Sequence, residues 1–447
     1  MKNKKNPSKK LERRDFLKMV SLTGVGGIIA SKSVMASAYA PKTTSKVVVL
    51  TNTKATDKTA KTVNPDVVKN MVDTGIKSYT GIDDVGQAWK SIFPGITVSS
   101  IIGLKVNTLF STRNVGTHPQ VAKAVADGLA QMEFDGTKFP ENNIIIFDFH
   151  NNYLPTQGYT INRSETGVRC FPTPTYTTEE YDISGVSVKL SKIITETIHY
   201  MVNIAYLKQH FLSGISLCLK NHYGSIQNPE VSALLHDSTR YGSPYIAAIN
   251  ALEPIRSKQK FCIIDALYGV TANGPSGAPT VNPDKILMGQ DAVAIDSIGR
   301  ELLKSLGLAT VQVNKTVHID VAAATYSLGT NNLSEIEVVN LDTTATGIDQ
   351  DNADTAKTFI NSPNPFSDNT EISFFLKTAA HVQIKIYSYT GKLIAQIMNK
   401  KLGEGFHSVS WNGLGSSGNS LPDGVYLCEL KTGLSSQSIM MQKFANQ

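Results

Sequence analysis

Ile101-Ile102-Gly103-Leu104-Lys105-Val106 and Ile144-Ile145-Ile146-Phe147-Asp148 are two short apolar runs, and between them His118-Pro119 opens a segment with Val121, Val125, Leu129 and Met132 at helical spacing. An apolar run without polar alternation reads as a strand buried on both faces, which is what a parallel sheet requires. The alternation continues in both directions. Val47-Val48-Val49-Leu50 reads as a strand, and Asn64-Pro65 reads as an N-cap with proline at the first helical position, followed by Val68, Met71, Val72 and Ile76 on one face. Further strands are expected at 186–190, 198–204, 261–265 and 286–288, and further helices at 244–252, 291–306 and 317–326. Residues 42–340 are therefore predicted to form an α/β domain, a mostly parallel sheet flanked by helices.

In open sheets of this class, ligands gather beyond the carboxyl ends of the strands. Those ends are polar here. Lys105 and Asn107 close one strand, Asp148 and His150 another, and Asp265 a third. Lys208 and His210 follow the strand that contains Asn203, and Lys220-Asn221-His222-Tyr223-Gly224 ends the apolar run 215–219. Isolated buried charge is costly, so three lysines at comparable positions point to a pocket that receives an anion: ammonium groups supply charge, and Asn and His supply directed donors. Lys105, Asn107, Lys208, Lys220 and Asn221 are the candidate ligand-binding residues. His210 and His222, with Asp265, are the candidates for acid–base catalysis, the histidines also being able to ligate a metal. Asp148 and Asp296 are candidates for holding a divalent cation, although Asp at such places is also a common capping residue. His118 and Asp291 read as helix-capping residues, and Asn221 with Gly224 as a tight turn that lets the backbone approach a ligand.

Several of these motifs, taken in order, resemble domain-of-unknown-function family 362: Ile102-Gly103-Leu104-Lys105-Val106-Asn107, Asn203-Ile204-Ala205-Tyr206-Leu207-Lys208-Gln209-His210, Leu219-Lys220-Asn221-His222-Tyr223-Gly224, Ile264-Asp265-Ala266-Leu267, Asn273-Gly274-Pro275 and Asp291-Ala292-Val293-Ala294-Ile295-Asp296. The resemblance runs through most of residues 45–310. Many members of that family occur with iron–sulfur ferredoxin modules, which implies redox company and a redox partner. Where the family commonly has a small hydroxyl residue between lysine and histidine, this chain has Gln209.

The four cysteines, at 170, 218, 262 and 428, form no C-x-x-C, so an iron–sulfur cluster within this chain is not expected and the cofactor is left unassigned. Asn273-Gly274-Pro275-Ser276-Gly277 lacks the G-x-S-x-G spacing of a serine-hydrolase elbow. The chain has 447 residues and a net charge of +6, but residues 1–40 hold nine Lys and Arg against Glu12 and Asp15. The rest carries 34 basic and 35 acidic residues, so the basic face that nucleic-acid binding needs is not expected.

Residues 1–40 have the order of a cleavable export signal: a charged start, an apolar stretch from Met19 to Ala30, and Ala36-Ser37-Ala38. The apolar stretch is too short to span a bilayer, so no integral membrane segment is expected after cleavage. Glu12-Arg13-Arg14-Asp15-Phe16-Leu17-Lys18 resembles the twin-arginine motif, which implies the twin-arginine translocase as a partner and export in the folded state, commonly because a cofactor or partner must be acquired first.

Residues 341–361 are polar and read as a linker. Beyond it, alternating runs at 371–376, 382–387, 392–398, 406–411, 425–430 and 438–442, separated by Gly, Asn, Pro and Asp, predict an all-β Ig-like sandwich over 362–447. Ser362-Pro363-Asn364-Pro365-Phe366, Gly391-Lys392, Trp411-Asn412-Gly413 and Leu421-Pro422-Asp423-Gly424-Val425-Tyr426 resemble the type IX secretion C-terminal sorting domain, and a similar module occurs in flagellar hook-capping proteins. The resemblance implies the type IX machinery as a partner and a location in the periplasm, on the cell surface or outside the cell. The sequence thus describes an exported α/β domain with an anion-binding cleft and a redox or acid–base role, or a surface protein that binds its ligand without transforming it.

Overall fold

The computed structural model describes residues 44–109, 114–149, 152–227, 239–344, 359–376, 379–388, 391–432 and 435–444. The leader, His150 and most of the 341–361 linker lie outside the described residues.

Asn64 sets the start of the first long helix, Pro65–Thr80: its side chain accepts from the N–H groups of Asp66 and Val67, proline follows at N1, and Gly81 ends the helix at φ 76°. Its buried stripe includes Val68, Met71, Val72 and Ile76, as the spacing predicts. Ala292–Ser305 begins the same way, with Asp291 accepting from Val293 and Ala294. Pro119–Leu129 does not. His118 occupies its N-cap position but makes no side-chain capping bond, a departure from the capping role read in the sequence.

Among the described residues the main sheet has nine strands, in the order Ile336–Asp342, Ser45–Thr51, Lys285–Gly289, Gln259–Val270, Tyr200–His210, Ile102–Lys105, Ile144–Asp148, Arg169–Pro172, with Gly214–Ser216 folded back on Tyr200–His210. Five pairings are parallel and three antiparallel, so the sheet is mostly parallel. Alternation along Tyr200–His210 sends Met201, Ala205 and Leu207 into one apolar core and Val202, Ile204 and Tyr206 into the other. That double burial is why the central strands lack polar alternation.

Four expectations are corrected. Residues 186–190 do not join the sheet; Ser187–Val188 pairs only with Tyr181–Asp182 in a separate ribbon. Lys208 and His210 do not follow their strand but lie within it, in an overhang past the end of Ile102–Lys105. Asp265 does not close its strand, which runs on to Val270. Residues 215–219 split into the strand Gly214–Ser216 and the start of the short helix Cys218–Asn221. The strand Ile336–Asp342, parallel to Ser45–Thr51, also carries the sheet past residue 340.

The C-terminal region is antiparallel. A three-stranded sheet, Ile360–Ser362, Thr370–Leu376 and Gly405–Trp411, faces a four-stranded one, Leu393–Leu402, Ala380–Ser388, Gly424–Thr432 and Ser435–Lys443. Their inward residues, including Ile372, Phe374, Ile384, Trp411 and Cys428, make a core of their own. This is the expected Ig-like sandwich, with Ile360–Ser362 added. No helix among the described residues is long and apolar enough to cross a membrane.

Candidate functional site

Three chain segments bring lysines to the rim of the sheet where the parallel strands end. Lys105 ends Ile102–Lys105 opposite Asn203, Lys208 stands in the overhang of the next strand, and Lys220 comes from the short helix Cys218–Asn221. They are 1%, 1% and 7% exposed.

Lys105 Nζ donates to Asp148 Oδ1 and the Val106 carbonyl, both at 2.8 Å. The other Asp148 oxygen accepts from the N–H and hydroxyl of Thr108 at 2.7 and 2.8 Å. Lys208 Nζ donates to Asn107 Oδ1 at 2.8 Å, and Asn107 Nδ2 donates to Asn221 Oδ1 at 3.1 Å. Asn221 Nδ2 donates to Asn203 Oδ1 at 2.8 Å. Lys220 Nζ lies 4.1 Å from the centre of the Tyr223 ring. Lys105, Lys208, Asn107, Asn221 and Asp148 thus share one polar hub, and Lys220 stands beside it, close enough to feel the charge of Lys208.

Gly224 closes it. A Cβ there would lie 2.9 Å from Asp148 Oδ1 and 3.0 Å from Lys105 Nζ, so the backbone approach foreseen at this turn is made to the ion pair. Burial lowers Lys208 to about 7; Asp148 opposes this and Lys105 adds to it. Burial, helped by the charge of Lys208, also lowers Lys220 to about 7.

The two candidate histidines have structural partners. His222 is fully buried, with Nε2 2.8 Å from Gln259 Oε1 and Nδ1 2.9 Å from Ser225 Oγ. Since Gln259 Oε1 only accepts, the ring proton belongs on Nε2 and Nδ1 accepts from the serine. Burial, with a smaller contribution from Lys105, pushes this imidazole down to about 4 against the pull of Gln259. His222 is neutral at pH 7 and has no ring nitrogen to spare for general acid–base work. His210 Nδ1 accepts the N–H groups of Leu212 and Ser213 in the turn to Gly214–Ser216, and its ring stacks on Phe211.

Asp296 lies elsewhere. Its oxygens accept the N–H groups of Cys218 and Leu219 at 2.8 and 2.9 Å, fixing the start of the short helix that carries Lys220. Burial pushes it up to about 7. Among the described residues no three His, Cys, Asp or Glu side chains are grouped as metal ligands. The four cysteines are buried thiols.

Asp265 meets a residue the sequence reading set aside. Its Oδ2 lies 2.7 Å from both the backbone nitrogen and the ring Nδ1 of His118, and its Oδ1 accepts from the Leu267 N–H. The parallel ladder slips here, Tyr206 pairing with Asp265 but Lys208 with Val270, and the imidazole lies beside the rings of Tyr206 and Tyr268. The sequence hid this because His-Pro at a helix start looks like an ordinary cap. His318, buried with both ring nitrogens unpartnered among the described residues, was also missed; no motif surrounds it.

Two surface depressions lie outside the hub. One is lined by Glu179, Tyr181, Glu196 and Lys258, the other by Arg163, Phe171 and Lys192. Neither includes a hub side chain, and convergence of buried charge favours the hub as the candidate site.

Residues 102–301 match the family described as Domain of unknown function (DUF362), and residues 362–435 match the FlgD Ig-like domain. No curated protein matches the chain. Among solved structures, the chain is similar to dimeric latent PorU from Porphyromonas gingivalis, with 19% identity over 20% of this chain and 9% of PorU and a TM-score of 0.18. It is similar to FlgD from P. aeruginosa, with 23% identity over 19% of this chain and 67% of FlgD and a TM-score of 0.16. A protein from Thermotoga maritima shares 10% identity over 58% of this chain and 59% of its own, with a TM-score of 0.32. This chain thus spans less than a tenth of PorU.

Proposed function

We propose that the α/β domain binds a small oxyanion through Lys105, Lys208 and Lys220, with Asn107 and Asn221 orienting the ammonium groups. The observation that carries this reading is the meeting of two lysines, Lys105 and Lys208, on one polar hub with a third, Lys220, beside them, each at least nine-tenths buried. Charge held so far from water is expensive, and one ion pair, Lys105–Asp148, would serve a purely structural purpose. An anion arriving beside Lys208 and Lys220 favours their charged forms, so binding above pH 7 takes up protons.

The test is calorimetric titration with inorganic phosphate at pH 8 in two buffers of different ionisation enthalpy. The expected result is binding with proton uptake that is lost in Lys208→Met and Lys220→Met. Unchanged affinity and uptake in both variants would discard the proposal. The engagement of His210 Nδ1 and of both His222 nitrogens takes these two histidines out of the acid–base role; binding without turnover is one form of the reading. A redox or acid–base step, with a redox partner, is the alternative, and its acid–base form draws on His118 and Asp265.

The same reading puts the protein outside the cytoplasm, in the periplasm, on the cell surface or released. Its supports are the Arg13-Arg14 leader, which would engage the twin-arginine translocase, and the motif series from Ser362 to Tyr426, which would engage the type IX secretion machinery. Deleting residues 362–447 should leave the α/β domain folded but misplaced. Surface location identical to that of the full chain would refute this.

A further inference from the structure

We propose that His118 and Asp265 form a proton-transfer dyad serving the oxyanion held by Lys208. With Asp265 Oδ2 at 2.7 Å, Nδ1 carries the ring proton and donates it to the carboxylate. That leaves Nε2 as the basic nitrogen. It is buried and has no hydrogen-bonding partner among the described residues. A buried acceptor left unfilled is costly, whereas the rest of this wall is satisfied: Tyr159 donates to the Thr117 carbonyl, Thr117 Oγ1 to the Ile204 carbonyl, and Tyr206 to the Asn114 carbonyl. The open position suits a proton donor from outside the chain. His318 has unpartnered nitrogens too, but no carboxylate among the described residues orients it.

The link to the lysine hub is local. Lys208 Nζ contacts the Val115 carbonyl at 3.3 Å, three residues before His118. The Tyr206 ring centre lies 6.0 Å from the His118 ring centre and 5.9 Å from Lys208 Nζ. A small molecule whose carboxylate or phosphate group rests on Lys208 would present its neighbouring O–H or C–H bond to this region. In the step, that bond breaks, the proton passes to His118 Nε2, and the electron pair stays on the substrate atom. Asp265 offsets the imidazolium charge, and the proton returns when the product is reprotonated, so no oxidant or reductant is required. The dyad stands on its own geometry; only the identity of its ligand rests on the oxyanion reading above.

Diethylpyrocarbonate, which acylates an unprotonated and reachable imidazole nitrogen, tests the proposal on the folded full chain, with modified histidines located by peptide mass mapping. His118 should be modified despite its burial, and inorganic phosphate should slow the modification. Asp265→Asn should slow it roughly tenfold or more, because an amide in place of the carboxylate no longer holds the ring proton on Nδ1. An unmodified His118, under conditions that modify the exposed His199 and His381, would overturn the dyad and leave a core histidine. Modification that phosphate does not slow would uphold the reactive nitrogen and overturn the assignment of dyad and lysines to one ligand.

Discussion

The two regions use their distinctive residues in opposite ways. In the sandwich, the residues that make its motifs recognisable are consumed in closing the fold. Asn364 accepts from the Gln442 N–H and donates to the Met440 carbonyl. Trp411 packs on Phe366 and Tyr426 and donates to the Leu414 carbonyl. Gly413 turns at φ 68°, where a Cβ would lie 2.6 Å from Lys443 Cε. In the α/β domain, the corresponding residues, Lys105, Asn203, Lys208, Lys220, Asn221 and His222, are polar and buried, and Asn221 ties Lys105, Asn203 and, through Asn107, Lys208 together. Two apolar cores already cover the sheet, so folding alone does not call for such an interior. A motif that closes turns reports a fold; a motif that buries charge reports a site.

The sharpest way to break this contrast is Lys105→Met, which leaves Asp148 buried without its cation. Removing one partner of a buried ion pair typically costs about 3–5 kcal/mol. The chain has two tryptophans, Trp89 in the α/β domain and Trp411 in the sandwich, so variants retaining one or the other report each region's urea unfolding separately. The Trp89 transition should move and the Trp411 transition should not. A loss below about 1 kcal/mol, the scale of an exposed pair, would mean the hub is less insulated from water than its burial implies.

A smaller effect separates the hub lysines from ordinary ones through pH. Lys208 and Lys220 stand near 7 when folded and near 10.5 when unfolded, so between these values the unfolded chain binds more protons. Stability therefore rises with pH across this window, by about 1.4 kcal/mol per unit for each lysine. His222, at about 4 when folded against 6.5, acts in the same direction but between pH 4 and 6.5. Urea midpoints at pH 7, 8 and 9 should climb in the wild type, less in Lys208→Met or Lys220→Met, and least in the double variant. Parallel curves for all four would show that neither lysine titrates in that range.

Much of this was legible in the sequence, for identifiable reasons. Asn64-Pro65 and Asp291 announced their helices because capping is local chemistry. The unbroken apolar runs announced a doubly covered sheet because burial on both faces removes alternation. The hub was legible because lysine beside an apolar run has few physical explanations. What failed was non-local. Nothing near His118 in sequence shows that its ring partner lies 147 residues away on a strand interior, and the apolar positions at 186–190 cannot reveal that they pack beside the sheet instead of joining it. Asp296 was noted for its charge, but its role, holding two N–H groups of another segment, depends on a helix start 78 residues earlier.

A surface position in the sandwich tests the same contrast from the opposite end. Asn364 joins the start of the sandwich to its last strand through two bonds to backbone groups, at 2.8 and 3.0 Å. An exposed hydrogen-bonded position of this kind contributes about 1 kcal/mol, so Asn364→Ala should shift the Trp411 transition by that amount and leave both the Trp89 transition and phosphate binding unchanged. If this residue instead served the α/β site, phosphate affinity would fall while the sandwich stayed as stable as before. A division of labour between the two regions requires the reverse, because both of these Asn364 bonds end on the sandwich's own backbone, where losing them can loosen a strand but has no route to the lysines.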